Sequence, residues 1–151
     1  MGVRDARPST AHNPTLLWID DFVPALTVYK ATMERLGYKV LTASSGEAGV
    51  KLAASKPVDL VVTDYEMPGM NGETVAAAVK LMKPALPVIM FSGSTTVSQR
   101  SRRCADAFCD KAGSRRVLLS AIHRLLHKKR NAALQPLAPL EASHHERRTV
   151  A

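Results

Sequence analysis

The chain has 151 residues, of which 46% are hydrophobic, 23% charged and 5% aromatic, enough for one globular domain with its own core. The net charge is +8, and three of those charges fall within residues 127–151. With so few aromatic side chains this excess reads as solubility rather than as a stacking platform for single-stranded nucleic acid. No run approaches the roughly 18–20 apolar residues of a membrane span, and residues 1–8 lack the apolar stretch of a secretory signal, so a soluble, cytoplasmic protein is expected. Cys104 and Cys109 match neither a redox pair nor a zinc knuckle, and free thiols are expected.

Residues 1–13 mix Gly, Pro, Ser and charge without periodicity and read as a flexible extension. Thr15–Ile19 is apolar on both alternating faces, as in a parallel strand covered on two sides, and it ends in Asp20-Asp21. A helix over Phe22–Leu36 stops at Gly37. Tyr38–Thr42 is the second strand. Ser44 or Ser45 caps a helix over Gly46–Ala54, which Pro57 keeps out of the third strand, Val58–Thr63. Asp64 follows that strand directly.

Glu73–Met82 is an alanine-rich helix ending before Pro84, and Leu86–Phe91 is the fourth strand, leading into Ser92-Gly93. Thr95–Cys104 reads as a polar, basic helix and Ala107–Cys109 as a weak fifth strand before Lys111. Ser114 caps a last helix with apolar residues at 117, 118, 121, 122, 125 and 126. The domain is thus placed over 14–128, and residues 129–151 form a basic, flexible tail too short for a second domain. The alternation implies five strand–helix units, a parallel sheet between two helix layers, with its chemistry at the carboxyl ends of the strands.

At those ends stand Asp20, Asp21, Asp64, Ser92 and Lys111. Carboxylates brought close together repel, so their pKa values rise or a cation neutralises them. Oxygen-only donors favour a hard ion such as Mg²⁺. Metal, ammonium and hydroxyl together can bind three phosphoryl oxygens while one aspartate attacks in line to give an acyl phosphate.

The segments Leu17–Asp21, Asp59–Gly72, Pro87–Gly93 and Phe108–Lys111, in this order, resemble the receiver domain of two-component response regulators over about residues 14–126. The resemblance implies an α/β, (βα)5 flavodoxin-like doubly wound sandwich with strand order 2-1-3-4-5. It makes Asp64 the phosphoacceptor. Asp21, Asp64, the backbone carbonyl of Glu66 and, through water, Asp20 would hold Mg²⁺. Lys111 would pair with the phosphoryl group, Ser92 would hydrogen-bond it, and Phe108 would move inward as Ser92 is recruited.

The implied partners are a sensor histidine kinase or a phosphotransfer protein, and a downstream protein on the face of the fourth helix, fifth strand and fifth helix. Arg100, Arg102, Arg103, Arg115 and Arg116 make that face basic. A stand-alone receiver without its own DNA-binding domain or membrane span is expected, with a homodimer left open, catalysing only its own phosphorylation and dephosphorylation. Two other readings stand beside it. Glu66, two residues after Asp64, matches the spacing of a second acid in Mg²⁺-dependent aspartate-nucleophile phosphohydrolases. A receiver-like scaffold that works without phosphorylation is the other. One departure is Ala112, where the family usually has a proline, often in a cis linkage, after the lysine.

Overall fold

The computed structural model describes residues 12–93 and 97–134. Within them β1 (Thr15–Ile19), α1 (Val23–Arg35), β2 (Lys39–Ala43), α2 (Gly46–Ser55), β3 (Leu60–Thr63), α3 (Gly72–Met82), β4 (Val88–Ser92), α4 (Gln99–Arg103), β5 (Ala107–Asp110) and α5 (Arg115–Leu134) alternate. The strands pair in parallel in the order β2-β1-β3-β4-β5. This is the expected flavodoxin-like sandwich.

Alternation along the central strands divides the core in two. Leu16, Trp18, Leu60, Val62, Ile89 and Phe91 face one layer, where α1 and α5 bring Met33, Leu118, Ile122 and Leu125. Leu17, Ile19, Val61 and Val88 face the other, where Ala53 of α2 and Val75 and Val79 of α3 close over them. Each such large side chain taken out of water contributes about 1.5–3 kcal/mol, which is why the three middle strands are apolar on both faces.

Several element ends differ from the sequence reading, each for a local reason. The third strand begins at Leu60 rather than Val58, because the Asp59 side chain turns to accept the Thr15 N–H at 2.8 Å. The fourth helix is shorter than expected and starts at Gln99, where the Ser98 hydroxyl accepts the Ser101 N–H at 3.1 Å; residues 94–96 lie outside the described residues. The last helix does not stop near 128 but continues to Leu134. Lys129 holds this extension against the start of β3, 3.6 Å from Asp59, and Ala132 and Ala133 are good helix formers. The rest of the segment read as a tail, and the extension up to residue 11, lie outside the described residues.

The predicted caps and stops otherwise hold. Gly37 takes the left-handed conformation at the end of α1, with φ of 94°. Ser45, not Ser44, caps α2 by accepting the Ala48 N–H at 3.1 Å. Both cysteines are free thiols.

Candidate functional site

Strand register builds the site. Ile19 pairs with Thr63, and Thr63 with Met90, so the residues that follow Ile19 and Thr63 leave the sheet side by side. The Asp64 N–H donates to the Ile19 carbonyl at 2.9 Å and the Asp20 N–H to the Ala43 carbonyl at 3.1 Å. On the other side Ser92 pairs with Asp110, and the Lys111 N–H donates to the Ser92 carbonyl at 3.0 Å. Two adjacent strand pairs thus deliver two carboxylates and an ammonium to one edge.

The charges meet there. Lys111 Nζ lies 2.6 Å from Asp20 Oδ2 and 3.4 Å from Asp64 Oδ2. Asp20 is 1% exposed, whereas Asp21 is open to solvent. Asp20, Asp21 and Asp64 each offer an oxygen within 4.8 Å of the others. Neither Asp20 nor Asp21 caps α1, whose N-cap is Phe22; Asp20 Oδ1 instead accepts the Phe22 N–H at 2.9 Å, which aims its other oxygen at Lys111.

Asp64 Oδ1 accepts the Tyr65 N–H at 2.7 Å. Burial pushes the Asp64 carboxyl above its ordinary value, with Lys111 pulling it down and Asp20 pushing it further up. For Lys111 burial works to lower the ammonium, but its hydrogen bond to Asp20 and the charges of Asp64 and Asp20 win and raise it. Among the described residues one ammonium, that of Lys111, pairs with this cluster of three carboxylates, which leaves the edge short of positive charge. All donors are oxygen, and Asp21 faces water. That donor set fits a hard divalent cation retaining water ligands, as Mg²⁺ does.

The loop after Asp64 is tightly drawn. Gly72 N–H donates to the Tyr65 carbonyl at 2.8 Å, and a Cβ at Gly72 would stand on the Asp64 carbonyl oxygen. Gly69 sits at φ of 76°, open to glycine at no steric cost. Asn71 caps α3 by accepting the Thr74 N–H at 3.0 Å. Glu66 is exposed on this loop.

Ser92 is buried at the end of β4. Phe108 is half-buried on β5, and the Arg102 guanidinium of α4 lies 4.2 Å over its ring. Arg100, Arg102, Arg103, Arg115 and Arg116 are all exposed. No cis peptide bond occurs among the described residues. The Ala112 N–H donates to Asp110 Oδ1 at 2.8 Å, and Gly113 N–H to the Asp110 carbonyl at 3.0 Å, so the loop after β5 is closed by a hydrogen bond that a proline could not make.

Two features escaped the sequence reading. Trp18, Tyr29 and Phe91 form an aromatic wall beside Lys111, with Tyr29 stacked on Trp18 at 4.8 Å and Lys111 Nζ 5.8 Å from the Phe91 ring centre. Tyr29 lies within a helix whose apolar positions gave no sign of this. Its phenol is raised, first by burial, with Lys111 opposing and Asp20 and Asp64 adding to the rise. Second, Glu73 at the start of α3 accepts the buried Ser101 hydroxyl of α4 at 2.6 Å, tying α4 to the acceptor loop.

The family model of the response regulator receiver domain matches residues 16–123. The chain belongs to that family. Phosphoryl acceptance is the general function of receiver domains, and they bind Mg²⁺ at a cluster of acidic residues. Alkaline phosphatase synthesis transcriptional regulatory protein PhoP of Bacillus subtilis is 34% identical over 80 residues, 53% of this chain and 33% of that protein. Virulence sensor protein BvgS of Bordetella bronchiseptica is 30% identical over 131 residues, 82% of this chain and 10% of that protein. The chain spans between a tenth and a third of the curated relatives it matches.

Among solved structures, response regulator TrrA from Thermotoga maritima, in complex with Mg²⁺-BeF, has a TM-score of 0.70 at 28% identity, over 74% of this chain and 98% of that one. A CheY-like receiver domain protein from Methanospirillum hungatei JF-1 has a TM-score of 0.74 at 24% identity, over 80% of this chain and 99% of that one, and shares the fold. No helix among the described residues is long and apolar enough to cross a membrane.

Proposed function

We propose that this receiver takes a phosphoryl group on Asp64 from the phosphohistidine of a sensor kinase or phosphotransfer protein, and that the modification switches a protein-binding face. The observation that carries this reading is the placement of Lys111, 2.6 Å from Asp20 and 3.4 Å from Asp64. A carboxylate oxygen of Asp64 attacks phosphorus, the bond from phosphorus to the donor histidine nitrogen breaks, and an acyl phosphate results. Lys111 stabilises charge on the transferred oxygens, at which point its hold on Asp20 loosens. Asp21, Asp64 and the Glu66 backbone carbonyl, with Asp20 beside them, would hold Mg²⁺, which would supply the charge neutralisation that one ammonium cannot. The Mg²⁺-BeF bound to TrrA is the corresponding ligand pair in a relative.

Ser92 and Phe108 form the switch in this reading. Moving a two-state equilibrium from 1:99 to 99:1 takes about 5.5 kcal/mol, and one charge-assisted hydrogen bond from Ser92 contributes roughly 1.5–3. Rearrangement of Lys111 and repacking of Phe108 supply the rest. The Arg102 guanidinium over Phe108 opposes that repacking, at about 0.5–1 kcal/mol for a solvent-facing cation–π contact. Arg102 and Arg103 present positive charge on the same face, which suits an acidic partner; charge reversal at both positions abolishes that binding, and an unchanged affinity would exclude it. The receiver itself turns over no external substrate.

The acceptor is tested by intact-protein mass after incubation with Mg²⁺ and a small acyl-phosphate donor. One added phosphoryl group, absent without Mg²⁺ and absent in Asp64→Asn, supports the assignment. A phosphorylated Asp64→Asn protein would move the acceptor elsewhere.

A further inference from the structure

The edge of the sheet opposite Asp64 has a different surface chemistry. The C-terminal ends of the helices and the first residues of the strands gather there. Its described carboxylates, Glu34, Asp59 and Asp106, are each already paired, with Lys30, Lys129 and Lys80 respectively. Arg35, Lys39, Lys56, Lys128 and Arg130 stand exposed around them, and none pairs with a carboxylate among the described residues.

Large aliphatic side chains project from the same end. Leu36 closes α1, Leu81 and Met82 end α3, and Leu134 ends α5; Leu81 is 86% and Leu134 74% exposed. The α5 extension runs between them. One groove, of about 590 Å³, separates it from Leu36 and Tyr38, and another, of about 450 Å³, separates it from Lys80 and Pro84. The three helix ends therefore frame one continuous face.

Cations at helix C-termini are favourable for the helices themselves, which accounts for part of the charge. That does not account for leucines left in water at the same helix ends. Leu36, Tyr38 and Leu126 line the first groove and Leu125 the second, beside small and charged residues, whereas Leu81 and Leu134 line neither and stand in open solvent. A folded protein partner would need matching pockets for such projections, and nucleic acid phosphates would make no use of them. A fluid lipid interface accepts both, the aliphatic tips entering the acyl boundary and the cations meeting headgroup phosphates.

We propose that the pole opposite Asp64 is a peripheral docking face for an anionic lipid bilayer, built from the ends of α1, α3 and α5. Docked this way, the receiver turns Asp64 and its Mg²⁺-binding carboxylates away from the anionic surface that would repel them. Each Lys or Arg held near such a surface strengthens binding roughly fivefold, an effect that salt weakens.

The test is vesicle co-sedimentation of the full chain with phosphatidylserine-rich and pure phosphatidylcholine vesicles. Binding to the first and not the second, weakened roughly tenfold or more by Lys128→Glu with Arg130→Glu, and severalfold by Leu81→Ser with Leu134→Ser, is expected. These positions are exposed, and circular dichroism with unchanged Asp64 phosphorylation verifies that the variants are folded. Asp64→Asn should bind vesicles as the native chain does, so failure of the acceptor assignment and failure of this inference are separable. No sedimentation of the folded native chain, indifference to the leucine pair, or tighter binding to duplex DNA than to vesicles overturns the proposal.

Discussion

The two ends of the sheet treat their carboxylates in opposite ways. At the amino ends of the strands, Asp59 and Asp106 each own a lysine and each accept a backbone N–H, from Thr15 and from Val88, both at 2.8 Å. At the carboxyl ends, Asp20 and Asp64 share Lys111 while Asp21, clustered with them, has no ion pair among the described residues, and Asp20 is the most buried of the three. The first arrangement ties strands together and leaves nothing to react. The second is short of positive charge in a partly desolvated place, which is the condition under which a cation and a phosphoryl group are drawn in. The comparison separates carboxylates that hold the fold from carboxylates that the fold holds ready.

Removing the cation from each end should expose the difference most. Lys111→Ala leaves Asp20 buried without a counter-charge and should cost about 2–3 kcal/mol in urea unfolding, toward the low side for a broken buried pair because the ammonium is a quarter exposed. It should also slow phosphorylation by roughly 10²–10³-fold, the usual loss of one transition-state donor. Lys80→Ala, at the other end, should cost about 1 kcal/mol or less and leave phosphorylation unchanged. Equal costs at the two ends would erase the distinction.

The backbone beside Asp64 is the next place to press. Gly72→Ala puts a methyl group against the Asp64 carbonyl oxygen, where no flexible side chain can give way, and should cost roughly 1–3 kcal/mol while misplacing the acceptor. Both its melting temperature and its phosphorylation rate should fall. Gly113→Ala, whose Cβ would stand 3.1 Å from the Asp110 carbonyl oxygen, should be milder on both counts.

Acidity sharpens the same contrast. Folded Asp64 holds its proton more tightly than the unfolded chain does, so the fold loses stability as pH rises from the ordinary 3.8 to the raised value. Asp64→Asn should therefore melt above the native protein at neutral pH, and the native phosphorylation rate should fall with acid at a higher pH than an ordinary carboxylate requires. The Lys111 pairing has the same sign in a far more alkaline window. Its stabilisation is intact below the ordinary 10.5 and is lost only as pH climbs through the raised value. The smallest effect expected is at Arg102→Ala, which frees the Phe108 ring and should tighten beryllofluoride binding about two- to fivefold.

Much of this was legible in the sequence because strand ends are local facts. Apolar runs closed by Asp20-Asp21, Asp64 and Ser92, and a strand followed by Lys111, locate the site as soon as the sheet is recognised as parallel. Which carboxylate the lysine prefers was not legible, since that depends on Phe22 N–H taking one oxygen of Asp20. The aromatic wall around Tyr29 was hidden for the same reason, as it assembles from β1, α1 and β4. The length of α5 was misjudged because its last turns are polar, and the contact that holds them, Lys129 with Asp59, joins residues far apart in the chain. Ala112 broke an expected motif, and only the structure shows Asp110 closing that loop.

The account rests on the charge deficit at the carboxyl edge, and calorimetric titration with Mg²⁺ measures that deficit directly. It predicts one saturable Mg²⁺ site in the native chain, strongly weakened by Asp21→Asn or Asp64→Asn and untouched by Asp59→Asn. A folded native chain that takes up no Mg²⁺, or one whose affinity is the same in Asp21→Asn, would contradict it.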